Sequence, residues 1–236
     1  MNKIGFRLEK LTRYEFREAR GKGNFRTAII PTGSIEQHLE HLAMNQDIRS
    51  STYVAEKVAS QLFPEVIVAV PITVGISEHH MEHPGTLTAK PGSWLTTLFD
   101  CVESLVRAGV ENIMILNGHG GNVIPVESSI EQWKMFFKNS TKSGDTRSLD
   151  LRFHSYWDFI TKETVTDHLA SGLYPGHAGE FETSIMMHIE PENVRLDLMC
   201  EQNDSSLSQS TSEKGRLLIE TAVTGAIEIV NEMMKR

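Results

Sequence analysis

The sequence predicts an α/β fold in which a mostly parallel central sheet is layered with helices. Two observations carry this. Short apolar, β-branched runs alternate along the chain with longer stretches at helical spacing, the order that builds layered α/β units. The apolar runs are also continuous rather than alternating, as expected of strands covered on both faces.

The elements follow in order. Thr27-Ala28-Ile29-Ile30-Pro31 is a short strand that leads into Gly33-Ser34. Residues 47–62 read as a helix: Tyr53, Val54, Val58 and Leu62 recur at helical spacing, and Asp47 sits where a helix N-terminus favours a carboxylate. Val66-Ile67-Val68-Ala69-Val70 is a second buried strand, followed by a turn-rich loop over 75–85 holding His79, His80 and His83. Residues 93–108 form an amphipathic helix with Leu95, Leu98, Phe99, Val102, Leu105 and Val106 inward and Gly109 as its C-terminal cap. Asn112-Ile113-Met114-Ile115-Leu116 is a third strand, delivered into the glycine-rich turn 117–122. Residues 125–138 read as a helix carrying Trp133, Phe136 and Phe137, 138–150 as an exposed polar connection, and 149–154 as a strand. A helix opens at Glu180 and runs to His188. Residues 201–212 read as a mobile Ser/Gln/Asn-rich loop, and 213–234 as a closing helix. With no internal repeat and no linker, the expectation is one domain over residues 1–236.

Composition narrows the function classes. At 39% hydrophobic and 23% charged residues the chain is an ordinary globular sequence. Its formal net charge of −8 argues against nucleic-acid and anionic-membrane partners, since no basic excess is available to neutralise phosphates. Residues 1–10 lack an apolar core of signal-peptide length, and no apolar run reaches bilayer length, so a cytoplasmic location is expected. The two cysteines, Cys101 and Cys200, form no Cys-x-x-Cys pair and read as reduced thiols.

Four stretches carry chemistry. Glu36 and His38 are two apart, so an extended segment presents both on one face, and Asp47 follows at a helix start. Two carboxylates and an imidazole suit a borderline divalent metal, although loop residues of these types are also common as solvated side chains. His119 lies in a turn with Gly118, Gly120 and Gly121, where the backbone can approach a ligand closely and free N–H groups can face an anion. The alternative is a tight turn with His119 bonded to a carbonyl. His177, Glu180 and Glu182 form the third group. Residues two apart on a helix diverge around its axis, so one of the two carboxylates is expected at the site, and Glu180 is the choice; without a metal, both would favour the helix dipole. The histidines of the fourth group, His79, His80 and His83, are not assigned to metal, and His41 is ambiguous.

Taken together, Pro31-Thr32-Gly33-Ser34-Ile35-Glu36-Gln37-His38 with Asp47, Gly75-Ile76-Ser77-Glu78-His79 with Pro84-Gly85-Thr86, Asn117-Gly118-His119-Gly120-Gly121-Asn122, and His177-Ala178-Gly179-Glu180 with Glu182-Thr183-Ser184 resemble the motifs of the creatininase (creatinine amidohydrolase) family, in the family's order. The resemblance implies a three-layer α/β/α sandwich, a homo-oligomer of hexamer type, and two divalent ions (Zn²⁺, Mn²⁺ or Fe²⁺) that activate a hydroxide to cleave a C–N amide bond. It implies Asp47 as the bridging carboxylate, Glu36 and His119 on one metal, and His38 with a further carboxylate on the other. Creatininase takes that carboxylate from two residues beyond the motif histidine, where this chain has Gly121, so Glu180 is the expected replacement, as in members with the His-Ala-Gly-Glu pattern. Those members act on formamide-type intermediates or on a modified peptide, which widens the expected substrate to a small-molecule amide or a peptide-like chain. His177 is the candidate proton donor to the leaving nitrogen, with the holding of a ligand carboxylate as its alternative; Ser77, Gly120 and Trp157 are the candidate substrate contacts. A non-catalytic or single-metal binding module is the competing reading.

Overall fold

A computed structural model describes residues 5–140, 149–202 and 204–235. Four parallel strands, β1 (Thr27–Thr32), β2 (Val66–Val68), β3 (Asn112–Asn117) and β4 (Asp150–Ser155), form a sheet in the order β2-β1-β3-β4. The chain thus passes from β1 to β2 on one side, then crosses β1 to lay down β3 on the other. The reversal falls between the carboxyl ends of β1 and β3, where an open parallel sheet leaves a crevice.

The continuous apolar runs are explained by two cores. Ile29, Val66, Val68, Met114 and Leu116 face one side, against α2 (Gln46–Gln61), α6 (Glu180–Ile189) and α8 (Ser212–Met234). Ala28, Ile30, Ile67, Ile113 and Ile115 face the other, against α1 (Arg13–Gly21), α3 (Pro91–Arg107) and α4 (Gly120–Ser140). Adjacent residues on β1, β2 and β3 serve opposite cores, so the central positions of these strands are apolar, and the architecture is the expected α/β/α sandwich. Among the described residues, no helix is long and apolar enough to cross a membrane, and Cys101 and Cys200 are free thiols.

Several boundaries differ from the sequence reading for physical reasons. β2 stops at Val68, and Val70 is exposed. The sequence reading assigned no element before β1, yet α1 forms there, opened by a capping box in which Thr12 accepts from the Glu15 N–H and Glu15 accepts from the Thr12 N–H. α4 begins at Gly120, not at Pro125, so the glycine-rich turn is itself the first turn of a helix and the proline lies inside it. The expected loop 201–212 contains a 3-10 turn at Ser205–Gln209 fixed by buried Leu207, preceded by α7 (Leu196–Met199); α5 (Lys162–His168) follows β4. Most of the expected connection 138–150 lies outside the described residues.

α6 and α8 are the most closely packed pair of helices. Their contact depends on Gly215, which lies against the Ser184 carbonyl where an added Cβ would collide with backbone. Gly215→Ala should therefore push the two helices apart and destabilise the protein by about 1–3 kcal/mol. A thermal melt reads this as a drop of roughly 2–4 °C per kcal/mol for a domain of this size. An unchanged melting temperature would contradict the packing described.

Candidate metal centre

The crevice between β1 and β3 gathers the motif residues. β1 runs into the loop carrying Glu36 and His38, α2 presents Asp47 in its first turn, and β3 runs into His119. Asn117 and Asn122 hold these segments in register. Asn117 Oδ1 accepts from the Thr32 hydroxyl and the His119 N–H, while Asn117 Nδ2 donates to the His119 carbonyl at 2.8 Å and the Ser155 hydroxyl at 3.1 Å. Asn122 Nδ2 donates to Asn117 Oδ1, and its Oδ1 accepts from the Ile76 N–H.

Asp47 stands at the centre. Its Oδ1 is 3.1 Å from His38 Nε2 and its Oδ2 is 2.9 Å from His119 Nδ1. On the His119 side, Glu36 Oε1 lies 3.3 Å from His119 Nδ1; on the His38 side, Glu182 Oε2 lies 3.7 Å from His38 Nε2. All five side chains are buried. The opposite ring nitrogens are committed elsewhere. His38 Nδ1 is 3.1 Å from the Glu36 carbonyl, and His119 Nε2 is 3.1 Å from the Ile76 carbonyl. A carbonyl only accepts, so each neutral ring carries its proton there and turns a lone pair toward Asp47.

Electrostatics show what the arrangement lacks. Burial alone would lower the pKa of His38, but the charge of Asp47 and then that of Glu182 raise it to about 9. For His119, burial is likewise outweighed by hydrogen bonds and charge from Asp47 and Glu36, which bring it to about 10. Burial opposes ionisation of Asp47, yet the two imidazoles hold its carboxyl at about 2. Glu182 is pushed up to about 8 by burial and by the Asp47 and Glu36 charges, with His38 in partial opposition. Three buried carboxylates against two imidazoles need positive charge from outside their own set, as protons or as metal. Glu36 Oε2, His38 Nε2 and Asp47 Oδ2 are buried with no hydrogen bond of acceptable geometry. Such orphaned lone pairs, converging from the loop after β1 and from the start of α2, fit divalent metal ions. Among the described residues three donor sets stand within coordinating reach, Glu36-His79-His119, His38-Asp47-Glu182 and Glu36-His38-His177, each with its ligand atoms inside 4.8 Å of one another.

Comparison with known proteins agrees. The family model for creatininase, creatinine amidohydrolase, matches residues 9–230. The chain belongs to the creatininase family of hydrolases. Creatinine amidohydrolase of Pseudomonas putida is 26% identical over 93% of each chain. The mycofactocin precursor peptide peptidase of Mycobacterium ulcerans is 27% identical over 77% of this chain and 65% of its own length. Among solved structures, a zinc–zinc form of a creatininase variant superposes with a TM-score of 0.81 at 23% identity, and a manganese creatininase with 0.80 at 24%; each match covers at least 97% of both chains.

Within this creatininase-family frame, Glu36, His38, Asp47 and His119 are brought together as expected, and Glu180 is not. The Glu180 carboxylate lies on the other side of the first turn of α6, accepting from Lys214 Nζ at 2.6 Å and from the Ala170 and Ser171 N–H groups at 3.1 and 2.8 Å. The expected divergence of residues two apart holds, but the carboxylate that meets His38 is Glu182. Its position is legible in hindsight: the third residue of a helix points its side chain back over the incoming chain, and Glu182 Oε2 accepts from the Ala178 N–H at 2.6 Å. Gly121 takes no part because its Cα packs against the Ile76 carbonyl and the His119 ring, leaving no room for any side chain.

The sequence reading also missed His79 and His80. His79 belongs to one donor set with Glu36 and His119, and His80 Nε2 is 3.7 Å from Glu36 Oε1. Surface-like composition hid them, because only the turn at Glu78–His80 brings them beside Glu36. His83 is half-exposed beside Glu82, and buried His41 bonds the Thr183 hydroxyl at 2.9 Å as a packing residue. His177 sits at the exposed mouth, its ring centroid 4.5 Å from that of His38. Ser77 is fully buried, its hydroxyl shared between Ser34 at 2.6 Å and His119 Nε2 at 3.2 Å, so it braces a candidate ligand instead of facing substrate. Trp157 packs partly buried against the core, its ring 5.2 Å from Tyr156. Gly120 is exposed and opens α4 with free space above it.

The two glutamates of α6 give a ranking test. Glu182→Gln should lower the bound metal content while Glu180→Gln retains that of the wild type, measured by elemental analysis after reconstitution. The reverse ranking would reinstate Glu180 as the ligand.

Proposed function

We propose that this protein hydrolyses a C–N amide bond at a binuclear metal centre, with Glu36, Asp47, His119 and His79 around one ion and His38, Asp47 and Glu182 around the other. The observation that carries the reading is Asp47, whose two oxygens face two separate imidazoles at 3.1 and 2.9 Å, the arrangement of a bridging carboxylate. Zn²⁺, Mn²⁺ or Fe²⁺ bound there would bring the pKa of a coordinated water toward neutrality and polarise an amide carbonyl.

The chain's own groups do the rest. Gln37 Oε1 accepts from the Leu39 N–H at 3.0 Å, which turns its amide NH₂ toward His80 Nδ1 at 2.9 Å and His177 Nε2 at 2.7 Å. Both histidines accept there, so each ring keeps its own proton on its other nitrogen. Burial, with His38 and His80 nearby, lowers the His177 pKa to about 4, so the ring is neutral at pH 7. It can exchange its bond with Gln37 for the proton given up by the attacking water, taken at Nε2, and deliver that proton to the departing nitrogen. The first-turn N–H groups of α4, at Gly120 and Gly121, would receive a substrate oxygen. Buried Ser77 holds His119 in orientation. Relatives named for creatinine and for a precursor peptide support a substrate range from cyclic amide to peptide end.

The test is reconstitution with Zn²⁺ or Mn²⁺ followed by assays on cyclic amides, formamides and short peptides. Asp47→Asn should lose both ions and at least about 10²-fold in activity, since even outer-sphere partners of metal ligands are worth 10–100-fold. Retention of two ions would remove the bridging role. His177→Ala should keep the metal content and lower kcat by about 10²–10⁴-fold, the usual contribution of a positioned acid–base group. Unchanged kcat, or lost metal, would reassign it.

A further inference from the structure

The His-Ala-Gly-Glu segment contains a carboxylate for which the metal centre has no use. Glu180 is fully buried at the start of α6, and its two oxygens accept three donors. A carboxylate present only to favour the helix dipole could face solvent. This one is enclosed and paired with Lys214, whose Nζ also donates to the Gln209 carbonyl at 2.8 Å. Two of its three donors are the backbone N–H groups of Ala170 and Ser171, at the point where the chain leaves α5 for the loop that carries His177.

The bonding of that loop shows what the contact does. Between residues 170 and 179 the main chain makes one backbone–backbone bond as a donor, from Gly172 to the Leu169 carbonyl at 3.3 Å, and Leu173 donates to the Ser171 hydroxyl. The other holds are the Gln37 amide, which donates to His177 Nε2 at 2.7 Å, and the first turn of α6. Glu180 fastens residues 170 and 171, and Glu182 fastens Ala178. The intervening chain exposes Leu173 and carries His177 to the mouth of the cluster. One end of the loop is therefore tied to a candidate ligand, and the other to an ion pair that reaches across to α8.

We propose that Glu180 is a positioning residue which, with Lys214, pins the entry of the 170–179 loop and thereby fixes His177 over the metal centre. This rests on the hydrolase reading for the role of His177, but the pin itself can be read without turnover. A charge-assisted bond set of this kind holds a segment closed against local opening, and its loss is expected to raise the open population about ten- to a hundredfold.

The experiment compares wild type, Glu180→Gln, Lys214→Met, His177→Ala and the Glu180→Gln/His177→Ala double variant, all loaded with Zn²⁺. Amide hydrogen exchange on peptides covering 168–180 should quicken about ten- to a hundredfold in Glu180→Gln, and in the same direction in Lys214→Met, while both keep the wild-type metal content. Unchanged exchange overturns the pin, and loss of metal in Glu180→Gln overturns it in favour of ligation. In assays, Glu180→Gln should lower kcat with little change in KM and should cause no further loss in the His177→Ala background. An equal loss in both backgrounds would mean that Glu180 acts on general stability and not through His177, and would overturn the proposal. If wild type shows no turnover on any amide, the hydrolase reading fails, and the exchange result still decides whether Glu180 pins the loop.

Discussion

A single buried carboxylate shared between two imidazoles organises this molecule. Asp47 touches His38 with one oxygen and His119 with the other, and these histidines hang from loops after neighbouring parallel strands. Bringing them together requires that β1 and β3 lie side by side and that α2 start in the crevice between them. The strand order meets both conditions, because the chain reverses direction across the sheet between β1 and β3. The sheet can hold this charge because the central positions of β1, β2 and β3 are apolar on both faces and the cores on either side are closed. At the carboxyl end of β3 asparagines answer the backbone donors and acceptors.

Much of this was written in the sequence, and the parts that were not share a cause. Buried strands and long amphipathic helices declare themselves through local periodicity, so β1, β3, α2, α3 and α8 were legible within a few residues. Glu36, His38, Asp47 and His119 were legible because each follows an apolar run or opens a helix, and the strands fix where such positions go. Residues whose direction depends on one turn of backbone were not. Glu180 and Glu182 differ by two positions, and only the geometry of a helix start separates a side chain aimed back at His38 from one aimed at Lys214. His79 and His80 looked like surface polarity because the 3-10 turn that aims them at Glu36 leaves no periodic trace. Ser77 and Trp157 were read as substrate contacts from their neighbourhood alone. Burial makes Ser77 a brace for His119, while Trp157 lies partly buried beside Tyr156.

The start of α6 shows how one turn of helix can divide labour between like side chains. Glu182 joins the charged cluster and holds Ala178; Glu180 stands outside it and holds Ala170 and Ser171. Gly121 leaves no room for a carboxylate beside His119, so a carboxylate from α6 takes the place beside His38. Drawing it from a helix that also anchors the His177 loop couples the cluster to the group placed at its mouth.

Anomalous diffraction from crystals grown with Zn²⁺ tests the shared-carboxylate account most directly. Two peaks should flank Asp47, one contacting Glu36 and His119 and the other contacting His38 and Glu182. A lone peak, or one centred on Glu180, would contradict it.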